Sequence, residues 1–236
     1  MSTVPDLFST RSKVYEMKLD ELSSIDSRWS TIKSSFFRSC SFPSNNQLPE
    51  YDVSQFERAK QGLPDERKDS WTEYSNKVIS RISRVFWGNN ISGGWTARNG
   101  KFARNSTSVE GVVSVAKELS SLLGEDLENT SLRGNYYYPK GGYREWHTNQ
   151  YDPLGWRLYF VHIDQSECAT FNYIDPVSKA RHQCTDTDGM MRLFYVGSGD
   201  SLLWHSIVSD GNRWSLGFIL NEASALKLIN MADRKV

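Results

Sequence analysis

The run Tyr138-Pro139-Lys140-Gly141-Gly142-Tyr143-Arg144-Glu145-Trp146-His147-Thr148-Asn149 sets the reading of the whole chain. It joins an aromatic approach to a Pro/Gly turn and ends in His-x-Asn. Two pieces answer it downstream: Leu203-Trp204-His205, then Arg213-Trp214-Ser215. Side chains two apart on a strand point the same way, so His147 and Asn149 share a side, as do Arg213 and Ser215. The second histidine lies far enough along the chain for several strands to intervene.

The surrounding texture is that of strands. Segment 135–138 is short and aromatic, and 139–142 is a turn. Segment 155–164 is nearly continuous and apolar, with Leu158, Phe160 and His162 on one face and Tyr159, Val161 and Ile163 on the other. Further strands are predicted over 169–174, 191–196, 201–208 and 214–220, with turn residues between them. Short strands so punctuated suggest a sandwich or a closed barrel. Residues 222–236 read as a short, partly ordered tail.

Upstream the pattern differs. Residues 1–68 are polar and rich in serine, with turns at Ser44–Pro49 and Gly62–Asp65. Short elements wrapped over a core, with some short helix or strand, are expected there. Ser70-Trp71-Thr72-Glu73 has capping-box spacing, and Tyr74, Val78, Ile82, Val85 and Phe86 follow at helical steps. Segment 88–105 is a Gly/Asn-rich interruption, either a solvated loop or a lid that brings Trp95 and Arg98 to a pocket. Thr107-Ser108-Val109-Glu110 opens a second helix whose stripe, Val109, Val112, Val113, Ala116, Leu119, Leu122 and Leu123, stops at Gly124. The organisation expected is a helical and irregular region over 1–130, a β core over 131–221 and a tail over 222–236.

At 236 residues the chain can bury a sizeable core. Lys+Arg and Asp+Glu are both 28, so no bulk attraction to nucleic acid or anionic membrane is expected. Three cysteines, Cys40, Cys168 and Cys184, do not make a disulfide framework and read as reduced thiols. Met1–Asp6 lacks the basic-then-apolar pattern of a signal peptide, and no apolar run reaches the roughly 20 residues of a membrane span. A soluble cytoplasmic protein is the expectation; oligomeric state is not legible.

The His-x-Asn…His…Arg-x-Ser layout resembles the iron(II)/2-oxoglutarate-dependent oxygenases. Their core, a double-stranded β-helix of jelly-roll type, carries His-x-Asp/Glu…His for iron and an arginine, often Arg-x-Ser, for the cosubstrate. The approach from Tyr138 through Gly141 to His147 is similar to prolyl-hydroxylase-like members. The resemblance spans roughly the C-terminal 100 residues. It implies an α+β fold with flanking N-terminal helices, and iron(II) and 2-oxoglutarate as cofactors. His147, Asn149 and His205 would be metal ligands, and Arg213, Ser215 and Tyr159 would hold the cosubstrate. It further implies hydroxylation of a C–H bond, with Tyr138 and Trp146 at the substrate, a small molecule or a peptide side chain.

The chain departs from the family at Asn149, where a carboxylate belongs. A neutral amide ligates more weakly. It either ligates nonetheless, stands aside, or marks a catalytically inactive jelly-roll module kept for binding or structure. Asp152 and Glu145 are nearby carboxylates. Taken singly, His205 reads as a buried strand histidine and Arg213 as a surface residue after a turn; their joint spacing with His147 and Ser215 favours the site reading. A cupin-type metalloenzyme without a 2-oxo acid is disfavoured by Arg213 and Ser215.

Overall fold

The computed structural model describes residues 10–40, 57, 59–60, 100–101, 103–104, 109–127, 132–149, 153–198 and 201–233. Strand β1 (Val14–Lys18) leads into helices α1 (Leu19–Ser23) and α2 (Arg28–Ser39). Two-residue strands β2 (Gly100–Lys101) and β3 (Ala103–Arg104) precede helix α3 (Val109–Leu123). Then come β4 (Leu132–Tyr138), β5 (Gly142–His147), β6 (Gly155–Ile163) and β7 (Ala169–Ile174). Strands β8 (Arg181–Thr185), β9 (Met190–Val196), β10 (Trp204–Ser209) and β11 (Arg213–Leu220) complete the core, and helix α4 (Glu222–Asp233) follows.

The strands form two antiparallel sheets. One has the order β1-β9-β6-β11-β4-β3, the other β2-β5-β10-β7-β8. From β4 onward successive strands switch sheets, except at the β7–β8 hairpin. This is a jelly-roll-like arrangement within an α+β fold.

Face alternation on β6 explains the layers. Leu158 and Phe160 join Leu193, Leu216 and Phe218 in the main core, together with Trp29, Ile32 and Phe36 of α2 and Leu119 and Leu122 of α3. The helices therefore cover the outer face of the larger sheet. Gly111 lies where an added Cβ would come within 2.7 Å of Ser39 Cβ, so a glycine permits the close crossing of α3 and α2. Helix α3 stops at Gly124, whose φ of 77° is left-handed and whose N–H bonds Ser120 O at 2.8 Å. Inside the sandwich, Tyr138, Phe171, Phe194, Val196, Leu203 and Ile207 form a second cluster.

The short elements expected over 1–68 include an edge strand: β1 pairs with β9, Tyr15 opposite Leu193. Several other expectations change. Within the expected 222–236 tail, Glu222–Asp233 are instead α4, which buries Ala225, Leu228 and Ile229 in the main core. Strand β8 went unread because its residues are mostly exposed and show no apolar alternation. Part of the 88–105 interruption is strand, β2 lying beside β5 and β3 beside β4. Trp95, Arg98, the helix expected after Ser70 and Asp152 fall outside the described residues. Val113, placed in the α3 stripe, is exposed, and Val115 is buried in its stead. Ala59 packs on Tyr143 and Val208 over the outer face of the smaller sheet, where Ser206 Oγ donates to its carbonyl at 2.9 Å. Among the described residues no helix is long and apolar enough to cross a membrane.

Candidate metal and carboxylate site

Strands β5 and β10 bring the two histidines together. His205 is the register partner of His147, but the next pair is Ile207 with Arg144, so β5 carries an extra residue there. That bulge sets His147 on the same face as Arg144 despite their odd separation. The ring centroids of His147 and His205 are 4.1 Å apart. Asn149 lies just past the end of β5, and its Nδ2 donates to His205 Nε2 at 3.5 Å, a long contact. All three residues are buried.

His205 is held as a specific tautomer. Its Nδ1–H donates to Leu203 O at 3.0 Å, which leaves the Nε2 lone pair facing Asn149. Burial, with the charge of Arg144, pushes its pKa down to about 3 against the pull of the Leu203 bond. The imidazole is therefore neutral at physiological pH, the form that binds metals. Phe171 and Phe194 pack beside it, with centroids at 5.4 and 5.6 Å.

Next to this pair is a cavity of about 20 Å³. His205, Tyr138, Tyr159, Arg213 and Ser215 all line it, and so do Arg144 and Arg192. The structure thus brings His205 together with the cosubstrate residues read from the sequence, and with His147 and Asn149 alongside. Arg213 sits opposite Tyr138 in the β11–β4 register, with its guanidinium 5.2 Å from the Tyr138 ring centroid. Tyr159 stacks on Phe194 at 5.7 Å. Its ring occupies the space that a side chain at Gly217 would fill, while at Gly134 that space is taken first by Tyr136. Burial pushes the Tyr138 phenol up to about 12 and raises that of Tyr159, so both remain neutral donors.

Trp146 is elsewhere. It packs with Ile174, Trp204 and Leu202 and is not among the cavity residues. The bulge that turns His147 toward His205 puts its neighbour on the other face, so the substrate contact expected of Trp146 is not made at this cavity. His162 donates from Nδ1 to Asp188 Oδ1 at 2.7 Å between Phe37 and Trp214, and His182 stacks on Tyr173.

Sequence reasoning missed Asp186 and Arg192. Asp186 lies between β8 and β9 and is wholly buried. Arg213 Nε donates to its Oδ2 at 2.6 Å, and Arg192 Nη1 donates to its Oδ1. Arg192 Nε also donates to Glu16 Oε1 at 2.8 Å. Burial alone would raise the Asp186 carboxyl, but Arg192 and Arg213 outweigh it and hold it below the usual carboxylate range. An arginine inside the apolar run Met190–Val196 was the available signal for Arg192. For Asp186 there was none, since Thr185–Gly189 reads as an ordinary turn.

Two imidazoles and an amide oxygen make a donor set that fits a first-row divalent ion; rotating the Asn149 amide exchanges Nδ2 for Oδ1. Among the described residues no group of three or more His, Cys, Asp or Glu stands together. The polar lining fits a carboxylate: Arg213 Nη1 is buried with no hydrogen-bond partner among the described residues, and Ser215 is alongside. The volume is that of a water molecule. A five-carbon diacid therefore requires the partly exposed Tyr136, Arg144 and Tyr159 side chains to part.

No protein-family model matches the chain, and no curated protein is significantly similar to it. Solved structures do resemble it. A prolyl-4-hydroxylase from Pseudomonas putida shares 13% identity over 62% of this chain and 85% of its own, with a TM-score of 0.35. A prolyl hydroxylase from Trichoplax adhaerens, in complex with a hypoxia inducible factor peptide fragment, shares 12% over 89% and 97%, with a TM-score of 0.40. The Drosophila melanogaster CENP-C cupin domain shares 12% over 67% and 99%, with a TM-score of 0.30. The structural neighbours thus include 2-oxoglutarate/iron(II) oxygenases and a cupin domain. At such identities and TM-scores the likeness carries no argument about activity, cofactor or substrate.

Proposed function

We propose that the chain is an iron(II)/2-oxoglutarate-dependent oxygenase of hydroxylase type, built on a double-stranded β-helix. The observation that carries this is one cavity lined by His205, Tyr138, Tyr159, Arg213 and Ser215, with His147 and Asn149 beside it. The alternation of β4–β11 between sheets supports the core reading.

In this reading His147 and His205 offer neutral imidazole nitrogens and Asn149 its amide oxygen. The Leu203 carbonyl fixes the His205 tautomer, as outer partners of metal-bound histidines do. Arg213 and Ser215 take the distal carboxylate, and Tyr159 adds a neutral donor. Phe171 and Phe194 keep water from the inner side of His205. When bound, the metal and the 2-oxo acid supply oxidation of a C–H bond by dioxygen, with the 2-oxo acid decarboxylated to succinate. The substrate class is a small molecule or peptide side chain, admitted past Tyr136 and Arg144. No general nucleic-acid role and no membrane association are proposed; the location proposed is cytoplasmic.

A second reading is a jelly-roll binding or structural module without redox chemistry. It is favoured by the missing carboxylate at Asn149 and by the small cavity. Anaerobic titration of the metal-free chain with iron(II) and 2-oxoglutarate separates the two. The visible charge-transfer band of the chelate is expected; its absence in a folded sample would select the binding module.

A further inference from the structure

We infer that Asp186 is a positioning residue that sets Arg213 to receive a ligand carboxylate, an inference that rests on the reading of Arg213 as the cosubstrate arginine. Asp186 is held by backbone as well as by charge. Its N–H bonds Ala169 O at 2.8 Å, at the start of β7 in the smaller sheet. Three residues on, Gly189 N–H bonds Val161 O on β6 in the larger sheet at 3.1 Å. Asp188 between them accepts from His162 and from Ile163 N–H. The turn is thus tied to both sheets, and the carboxylate of Asp186 is fixed in space.

That fixed carboxylate takes one edge of the Arg213 guanidinium, through Nε, and leaves Nη1 without a partner in a residue that lines the cavity. An arginine fork has more than one usable edge, so engagement at Nε orients the group without consuming it. The charge is also divided. Asp186 serves two guanidiniums, and the other carboxylate paired with them among the described residues, Glu16, bonds Arg192 and is partly exposed. Arg213 is therefore oriented by Asp186 but incompletely neutralised by it. Its remaining attraction is for an anion at the cavity, and Ser215 stands ready as a further donor. Arg192 has the complementary part: Glu16, Asp186 and the Met190 sulfur occupy its Nε, Nη1 and Nη2, so it anchors Asp186 and takes no ligand.

The test uses the full chain loaded with iron(II) without oxygen. Binding of 2-oxoglutarate is compared with that of 2-oxobutyrate, which keeps the 2-oxo acid but lacks the distal carboxylate. Wild type and Asp186→Asn are titrated in parallel. The expected result is 2-oxoglutarate binding weakened on the order of tenfold in the variant, with 2-oxobutyrate affinity unchanged. Equal or tighter 2-oxoglutarate binding in Asp186→Asn would overturn the inference and make Asp186 a competitor for the arginine. Equal weakening of both acids would also overturn it, since a structural defect acts that way. Failure of the wild type itself to bind 2-oxoglutarate removes the cosubstrate reading, and the inference with it. Should the variant not fold, the Arg213 Nε–H resonance is followed in the zinc-loaded wild type, assigned by its loss in Arg213→Lys. Persistence on adding 2-oxoglutarate supports Asp186 as the orienting group, and displacement refutes it.

Discussion

Asn149 and Arg213 carry the sharpest consequences at the scale of single residues. Asn149 donates to His205 Nε2, where a metal-binding carboxylate would have no proton to donate and would offer charge instead. Restoring that charge with Asn149→Asp is expected to tighten iron(II) binding by about tenfold or more, read by anaerobic titration. An unchanged affinity would mean that residue 149 does not face the ion. For Arg213, substitution by alanine is a poor probe of binding. It leaves Asp186 buried with half its counter-charge, and breaking a buried pair costs about 3–5 kcal/mol. Arg213→Ala is thus expected to lower the denaturation midpoint as well as to lose the ligand. Ser215→Ala, which breaks no ion pair, isolates the site: weaker 2-oxoglutarate binding at unchanged stability is the expected outcome.

Elements set these residues in place through features that a strict two-residue alternation lacks. The bulge in β5 is one, and the glycine pair under Tyr159 is another. Gly217 on β11 faces Tyr159 on β6 in register, with Gly134 opposite on β4. A methyl group at Gly217 would meet the Tyr159 ring directly. Gly217→Ala is expected to cost about 1–3 kcal/mol by overpacking and to shift Tyr159 fluorescence or its NMR ring signals. Wild-type stability with an unmoved ring would show that β11 yields more easily than its pairing suggests. Helix α4 is a second case, because it reads as a tail yet buries Leu228 completely. Leu228→Ala is expected to destabilise by about 2–5 kcal/mol in denaturant unfolding, the range for a core leucine. A peripheral tail would show almost none.

Across the whole molecule, the buried charges link stability to pH. Asp186 is held below its ordinary range, so the folded chain binds its proton less readily than the unfolded chain does. The stability it contributes is therefore present above the unfolded carboxyl value of about 4 and is lost as pH falls through the folded value. Unfolding midpoints measured from neutral to acid pH should drop more steeply below that point in wild type than in Asp186→Asn. Parallel curves would show that other carboxylates, such as Asp188, dominate the acid limb.

What is local and periodic could be read along the chain. Alternation over 155–164 assigned the faces of β6, helical spacing and Gly124 bounded α3 at its end, and His-x-Asn…His…Arg-x-Ser named residues that the fold gathers. Tertiary structure alone decided the rest. Edge strand β1 and exposed β8 have no amphipathic signature of their own and exist by pairing with β9 and β7. Trp146 leaves the cavity because of a bulge, which follows from the register of β5 against β10 and not from the residues in it. Asp186 becomes the partner of Arg192 and Arg213 only when two sheets close around it. A buried carboxylate is stable there because two distant arginines arrive together, and no spacing along the chain encodes that meeting.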